Sequence, residues 1–340
     1  MPTRFQRFGN DLYTGALSID FVGHRRRKIW YSIAAVLIIA SVLIPIFHRG
    51  FNFGIDFVGG SQFSITQVKT TDQGLARSAV ASVDPSITAT VTTINGNAVQ
   101  VQTEQLTSQK SLEVGQALAT AYKVPVADVT STFIGPSWGA DVSKKAIQGV
   151  VVFLLLAFIA MALYFRTWKM SAAAILSLLH DMIITAGVYA AVGFEITPAT
   201  MIGFLTILAY SLYDTVVVFD QINENTVDDA TKLKRTFAES VNLAVNQTLV
   251  RSINTGVIAV LPVAAILFIG TLVFGADTLR DISLSLFIGI ILGTYSTIFI
   301  ASPLYAEFRE GEDKVAKHDK RVLALRAKAA SSEQPELVAE

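Results

Sequence analysis

The sequence predicts a polytopic α-helical membrane protein with six transmembrane helices and one α+β domain between the first and second helices. Of its 340 residues, 52% are hydrophobic and only 16% are charged, and the mean hydropathy is +0.50. Six apolar runs each approach the roughly 20 residues that a helix needs to cross a bilayer. Residues 49–144 are instead polar and rich in β-branched side chains, which favours a folded domain outside the membrane.

The apolar runs also set the predicted domain boundaries. The predicted spans cover residues 29–47, 146–165, 171–192, 196–219, 250–274 and 282–304. The predicted domains are an N-terminal segment 1–28, a first helix 29–48, the α+β domain 49–144, a five-helix bundle 145–305 and a tail 306–340. The first run is long and lacks a small-residue cleavage pattern, so it is interpreted as an anchor rather than a signal peptide.

Basic residues in the short connections predict the orientation. They precede the first span at 25–28, occupy the loops after the second and fourth spans, and recur after the sixth. The positive-inside bias then places both termini in the cytoplasm and the α+β domain on the opposite side. A net charge of zero implies no attraction to nucleic acid, and the absence of cysteine excludes disulfides and thiolate metal sites.

Residues 49–144 show the element order of a ferredoxin-like domain. Strands are predicted near 62–68, 87–94, 98–103 and 129–133, helices near 72–82 and 108–122, and a hairpin turn at the Asn-Gly pair 95–96. The resulting β-α-β-β-α-β order is the split arrangement of the ferredoxin-like fold. The segment contains no catalytic set, metal-ligand cluster or phosphate loop, so a binding or mechanical role is predicted.

Ionisable residues within the predicted spans indicate a proton path. Asp181, preceded by His180, lies in the third span, Asp214 in the fourth, and Arg251 opens the fifth. A charge in hydrocarbon costs at least a few kcal/mol, so such residues usually face the bundle interior and often serve ion or proton transfer. Two simpler interpretations stay open: Arg251 could extend to the interface, and His180 could hydrogen-bond to a neighbouring helix.

Asp214 is the strongest candidate because its helix face is polar. Tyr210 and Ser211 lie one turn before it, whereas Asp220, six residues later, points about 240° away around the helix and is predicted at the interface. A carboxylate that alternately gains and loses a basic partner can carry a proton. We therefore predict that Asp214 is protonated and deprotonated during conformational change, with Arg251 as its counter-charge.

Several stretches resemble motifs of SecF subunits in the SecD/SecF family. They are YSLYDTVVVFDQINEN at 210–225, FNFGIDFVGGSQF at 51–63, GPSWG at 135–139, HD at 180–181 and RSINT at 251–255. The resemblance covers nearly the whole chain apart from its two tails. The family pattern usually has Asn before the first aspartate and Arg after the second, where this chain has Tyr213, Gln221 and Asn223.

The resemblance implies a role in protein export rather than an enzymatic activity. It implies a SecD partner, a twelve-span unit of the resistance-nodulation-division type, association with the SecYEG channel, preprotein substrates and a bacterial inner-membrane location. Energy would come from a proton gradient, with sodium as the alternative ion and no other cofactor. The relay implied by the resemblance consists of Asp214, Arg251 and Thr255; Asp181 is added from the residue-level argument.

The resemblance also marks Gly54, Asp56, Gly59, Gly60 and Asp220 as family-motif residues. The glycines are interpreted as a turn and bulge joining the first span to the first strand, or alternatively as a hinge for the outer domain. Apolar residues spaced by four in the loop 226–247 predict an amphipathic helix on the membrane interface or on the channel partner. The C-terminal tail is predicted to be a solvated, partly helical or disordered extension.

Two other function classes fit the same pattern. One is a proton-driven exporter of small molecules or lipids from the same superfamily, although six spans and one small outer domain make a poor self-sufficient pump. The other is a structural subunit that stabilises a channel complex, in which a neighbouring helix simply satisfies Asp214. No ATP or GTP phosphate loop is visible, so the energy must come from a gradient or another subunit.

Overall fold

The computed structural model describes residues 4–47, 50–94, 98–269 and 277–333. The predicted Asn-Gly turn at 95–96 and the end of the fifth predicted span lie outside these ranges. Six helices in the described residues are long and apolar enough to cross a membrane. They cover His24–Phe47, Pro136–Phe165, Trp168–Val192, Pro198–Val227, Phe237–Ile269 and Leu279–Glu310.

The described residues form twelve α-helices and six short strands. The helices are α1 (Arg4–Thr14), α2 (His24–Phe47), α3 (Ile55–Val58), α4 (Gln73–Val83), α5 (Ser108–Tyr122), α6 (Pro136–Phe165), α7 (Trp168–Val192), α8 (Pro198–Lys232), α9 (Phe237–Ala265), α10 (Asp277–Ser296), α11 (Ser302–Glu310) and α12 (Asp313–Glu333). A π-helical segment, Thr297–Ala301, joins α10 to α11. The strands are β1 (Asn52–Phe53), β2 (Gly60–Ile65), β3 (Ala89–Ile94), β4 (Ala98–Thr103), β5 (Val129–Ile134) and β6 (Glu195–Ile196).

The α+β domain is a four-stranded sheet covered by two helices. Its strand order is β3-β4-β2-β5, and every neighbouring pair is antiparallel. Side chains alternate across the sheet, so Phe63 of β2 and Val101 of β4 are both fully buried beneath α4 and α5. Asp72 and Thr107 cap the two helices by accepting hydrogen bonds from backbone N–H groups. The domain therefore has its own core.

A second small sheet ties this domain to the membrane helices. Strand β1, just before the domain, pairs in parallel with β6, which lies between α7 and α8. The pairing places Asn52 opposite Glu195 and Phe53 opposite Ile196. Because α8 begins two residues after β6, this pairing holds the segment that leads directly into that helix.

The membrane helices form an inner and an outer group. We compared the most apolar 18-residue stretch of each candidate spanning helix. Half of this stretch is buried in α7, in α8 and in the helix formed by α10 and α11, but only 11% of it in α2, α6 and α9. The outer helices therefore expose apolar faces to lipid or to another subunit. Gly187 of α7 permits one close crossing, because a Cβ there would lie 2.6 Å from the backbone Cα of Ser41 on α2.

We expect Gly187→Ala to destabilise the bundle by about 1–3 kcal/mol, the usual cost of overpacking a tight contact. The added methyl group would have to push α2 away from α7. The midpoint of thermal unfolding in detergent is the measurement. Gly149→Ala is the matched control, because its Cβ would lie 3.8 Å from Leu205, an ordinary contact. Equal unfolding midpoints for the two variants would contradict the close crossing.

The prediction for residues 226–247 is wrong about what the apolar helix face contacts. α8 continues to Lys232, and the residues from Phe237 onward form the first turns of α9. Phe237, Val241 and Val245 are buried in a core cluster of this chain. The spacing of four is the apolar stripe of a helix, but its partners are α8, α11 and the N-terminal segment rather than lipid or a channel.

Both terminal segments contribute to that cluster. Leu12 of α1 is fully buried, and the backbone of residues 19–22 is held by the side chains of Asn242 and Asn246. The tail, predicted as a solvated, partly helical or disordered extension, is helical in α12. It is not simply solvated, because Val322 is buried and Arg326 pairs with Glu239 at 2.7 Å. A few apolar residues at helical spacing are enough to dock these segments.

Candidate functional site

Asp181 lies in a hydrogen-bond network between α7, α8 and α10. Its side chain is fully buried. Its Oδ2 atom accepts hydrogen bonds from the hydroxyls of Ser211 and Ser296, at 2.8 and 2.7 Å. The Nδ1 atom of His180 lies 3.1 Å from its Oδ1 atom. Within the described residues, the buried Nε2 atom of His180 has no partner.

Asp214 lies on α8, less than one turn beyond Ser211, and is 4% exposed. Its Oδ1 atom accepts a hydrogen bond from the hydroxyl of Ser252 on α9, at 2.9 Å. Its Oδ2 atom is buried and has no partner in the part of the chain that the structure describes. Asp214 is therefore a buried carboxylate with one donor, whereas Asp181 has three polar groups within reach.

Close packing of α8 on α10 brings these groups together. Gly289 and Gly293 form a G-x-x-x-G pair on α10, and a Cβ at Gly293 would lie 2.9 Å from the Ser211 side chain. Small residues at this spacing allow two helix backbones to approach closely. One turn further along, the hydroxyls of Thr215 and Thr297 are 3.0 Å apart. The polar groups thus form a continuous buried stripe between the two helices.

Arg251 and Thr255 lie on a different face of α9 from Ser252. The Arg251 side chain is exposed and makes no salt bridge with Asp214 or with another described carboxylate. The Thr255 hydroxyl donates to the carbonyl of Arg251 at 2.8 Å. Consecutive helix residues are rotated by about 100°, so Ser252 faces Asp214 while the Arg251 guanidinium is presented on the outside of the bundle.

The departures from the family pattern lie away from the Asp214 carboxylate. Tyr213 is 57% exposed, Gln221 bonds to side chains on its own helix, and Asn223 is exposed. Asp220 is exposed as well, and the Tyr164 hydroxyl donates to it at 3.4 Å. The hydrogen bond to Asp214 comes from α9, so none of these residues supplies it.

The two glycines of the family motif sit where the α+β domain meets α6. Gly59 and Gly60 have φ of +75° and +131°, values that side-chain-bearing residues rarely adopt. A Cβ on Gly60 would lie 2.4 Å from the carbonyl oxygen of Thr103, and one on Gly59 would lie 3.0 Å from Pro136. Both glycines are thus required by local geometry. The hinge interpretation of these glycines therefore cannot be tested by replacing Gly59 with proline, which needs φ near about −65°.

The other two motif residues in this segment flank the β1–β6 pairing. The Gly54 N–H donates to the carbonyl of Ile196 at 2.9 Å, and a Cβ on Gly54 would lie 2.7 Å from the Glu195 carboxylate. Asp56 lies in α3 and is half-buried, and this burial raises the pKa of its carboxyl group. The motif therefore forms the contact between the domain and the α7–α8 connection.

Glu195 completes a direct connection from the sheet to α8. Its two carboxylate oxygens accept hydrogen bonds from the side-chain amides of Gln100 and Gln102, at 3.0 and 2.6 Å. Burial raises the pKa of the Glu195 carboxyl, and the two amide donors partly oppose that rise. Thr197 then caps α8, the helix that carries Asp214. We call the contacts of β1, β6, Glu195, Gln100 and Gln102 the junction.

Sequence reasoning did not identify Ser252, Ser296 or Glu195. A signal for Ser252 was present, because the buried stripe of α9 that includes Val241 and Val245 continues through Leu249 to Ser252. For Ser296 and Glu195 no local pattern existed, since their partners are 115 and about 95 residues distant along the chain.

We expect Asp181→Leu to lower the unfolding free energy by about 2 kcal/mol or more. The Ser211 hydroxyl would lose its acceptor, and the Ser296 hydroxyl would keep only the Gly293 carbonyl, at 3.2 Å. An unsatisfied buried group costs about 1–3 kcal/mol. Thermal unfolding of the purified chain is the measurement. Asp181→Asn is the control, because its amide oxygen still accepts a hydrogen bond and the loss should be smaller. Equal losses in the two variants would contradict the hydrogen-bond account.

Comparisons with known proteins agree with the motifs. The family model for the protein export membrane protein SecD/SecF, C-terminal, matches residues 113–311, and the SecD/SecF GG motif matches 46–66. The protein translocase subunit SecF of Streptomyces coelicolor is 44% identical over 95% of this chain and 85% of its own length. The subunit of the same name from Mycobacterium tuberculosis strain CDC 1551 is 41% identical over 94% of this chain and 73% of its own length.

The fold is also similar to a solved structure. The crystal structure of SecDF from Thermus thermophilus, described as a translocon-associated membrane protein, superposes with a TM-score of 0.70 and 29% identity. The match covers 86% of this chain but only 39% of that longer one. Because the family model spans more than half of the sequence and relatives match it almost from end to end, the chain belongs to the SecD/SecF family.

Proposed function

We propose that this chain is a protein translocase subunit that uses a proton gradient, together with a SecD partner, to assist preprotein export through the SecYEG channel. The observation that carries the proposal is Asp214. It is a buried carboxylate with a single hydrogen-bond donor. It lies on the helix that begins three residues after Glu195, whose carboxylate accepts hydrogen bonds from the α+β domain. A proton taken up at Asp214 can thus act on the same helix that holds the domain.

The relay needs a basic partner and a second acid. Arg251 lies one residue before the serine that donates to Asp214, and its guanidinium is exposed. A rotation of α9 by about 100° about its axis would exchange Ser252 for Arg251 beside the carboxylate. In the present conformation Arg251 is available to a carboxylate of the SecD partner. Thr255 lies one turn beyond Arg251 on α9 and is the third member of the proposed relay in this chain.

A partner subunit also accounts for the outer helices. The most apolar stretches of α2, α6 and α9 are mostly exposed. Exposing the charge of Arg251 to lipid would cost free energy, so a protein partner on this surface is favoured. The Thermus SecDF structure, of which this chain covers 39%, supports pairing with SecD. Asp181 is enclosed by three polar groups, and we assign it mainly to holding α7, α8 and α10 together. Its role in proton transfer is secondary to that of Asp214.

The α+β domain is the proposed moving part. Its element order and its strand order of β3-β4-β2-β5 support a ferredoxin-like domain, and the basic connections at the opposite end of the helices support its extracytoplasmic placement with both termini in the cytoplasm of a bacterial cell. In this proposal the junction opens and closes as Asp214 changes protonation, with no bound cofactor.

Preprotein translocation into vesicles tests the proposal. Vesicles containing the SecYEG channel, a SecD partner and this chain should import more preprotein with an imposed proton gradient than without it. The increase should vanish when this chain is omitted. If a sodium gradient stimulated import in place of the proton gradient, sodium would be the coupling ion. An increase that needs neither gradient would instead support a structural channel-stabilising subunit.

A further inference from the structure

A cavity of about 610 Å³ lies at the end of the helix bundle opposite the α+β domain. It is enclosed by the ends of α6, α8, α9 and α11 and by α12. Five cationic side chains line it, Arg166, Arg309, Lys314, Lys317 and Arg321, against one carboxylate, Asp229. The lining therefore carries a formal charge of +4, with His318 counted as neutral.

The carboxylate does not neutralise these cations. Asp229 accepts from the Ser240 hydroxyl at 2.8 Å and lies 3.4 Å from Arg235. Arg309 is bound to Glu312 at 2.9 Å. In the described part of the chain, the other four cations of the cavity form no salt bridge. A cavity whose described lining carries a net positive charge attracts an anion.

The lining also includes three aromatic side chains, among polar and aliphatic ones. Phe165, Phe237 and Tyr305 line the cavity and are almost fully buried. Phe165 is the last residue of α6, and Arg166 and Thr167 connect it to α7. The cavity thus lies at the boundary between the apolar part of the helices and their polar ends, the depth at which lipid headgroups lie.

We propose that this cavity binds the phosphate group of an anionic phospholipid of the cytoplasmic leaflet. The four unpaired cations recognise the phosphate, and the neighbouring ends of the membrane helices receive the glycerol and the first part of the acyl chains. Basic pockets between helices on the cytoplasmic side suit such headgroups. The leaflet assignment rests on the orientation proposed above, but the binding of an anionic lipid does not.

Fluorescence quenching in reconstituted bilayers tests the proposal. Trp168 begins α7 beside the cavity and is 63% exposed, so Trp30→Phe and Trp138→Phe leave one reporter next to the site. Phosphatidylglycerol and phosphatidylcholine carrying a quencher high on the acyl chain are compared. We expect phosphatidylglycerol to quench Trp168 with an apparent affinity at least about fivefold higher, the factor for one basic contact near a membrane surface.

The cavity variant removes three of the unpaired cations, Lys314→Gln, Lys317→Gln and Arg321→Gln. The preference for phosphatidylglycerol should then disappear. The control variant removes three exposed cations that do not line the cavity, Arg25→Gln, Arg26→Gln and Lys28→Gln, and should keep the preference despite the same change in net charge.

Three results would overturn the proposal. One is equal quenching by the two lipids in the parent protein, and another is equal loss of preference in the cavity and control variants. The third is displacement of the phosphatidylglycerol effect by millimolar glycerol phosphate, which would assign the cavity to a soluble phosphate. Because the measurement reads binding rather than export, it can succeed or fail independently of the proposed translocase function.

Discussion

Replacing Asp214 with Asn is expected to abolish the part of preprotein translocation that depends on the proton gradient. Asparagine keeps the size of the side chain and an oxygen that can accept from Ser252, now 2.9 Å from the carboxylate. It cannot take up and release a proton, so the relay stops while the packing of α8 on α9 is preserved. Translocation into vesicles, measured with and without an imposed gradient, is the readout.

Asp220→Asn is the matched control for this substitution. It makes the same chemical change six residues away on the same helix, at an exposed carboxylate, and should leave gradient-dependent translocation intact. Unfolding midpoints of both variants should match the parent chain. A fully gradient-responsive Asp214→Asn variant would disprove the relay and favour a structural subunit.

The second large effect is expected from locking the junction. Because the chain has no cysteine, the pair Phe53→Cys and Ile196→Cys would introduce its only thiols. These residues are direct partners in the β1–β6 pairing, where Cα atoms are close enough for a disulfide. If the domain moves relative to α8 during export, oxidation should stop gradient-dependent translocation and a reductant should restore it.

A second disulfide controls for the oxidation itself. Ser64 and Thr130 are partners in the β2–β5 pairing, so cysteines there would tie two strands of the same sheet without locking the junction. Oxidation of that pair should leave translocation unchanged, as should oxidation of either single-cysteine junction variant. Full activity of the completely oxidised junction variant would show that the junction does not open during export.

The candidate membrane-spanning helices and the main candidate carboxylate could be predicted from local patterns. Hydropathy over about 20 residues identifies a spanning helix without knowledge of its neighbours, and the runs at 29–47 and 171–192 lie within α2 and α7. Asp214 was identified because a carboxylate in such a run is rare. Strand and helix periodicity likewise placed elements near β4 and α5, whose observed bounds are Ala98–Thr103 and Ser108–Tyr122.

Errors arose where hydrophobic patterns do not identify their partner. The stripe at Phe237, Val241 and Val245 was assigned to lipid or a channel, yet it packs on this chain. An apolar helix face is stabilised by packing on any apolar surface, and the sequence pattern does not specify whether that surface is lipid, a partner or the same chain. The same ambiguity affected the C-terminal tail, whose Val322 is buried.

The sequence by itself determined which segments are long and apolar enough to cross a membrane, which segment forms the α+β domain, and which carboxylates lie in apolar helices, because each depends on residues close together in the chain. Only the tertiary structure decided that Ser252 rather than Arg251 contacts Asp214, that Ser211 and Ser296 enclose Asp181, and that Glu195 ties the sheet to α8. These contacts join residues far apart in sequence, and they depend on helix rotation and close packing that local patterns do not contain.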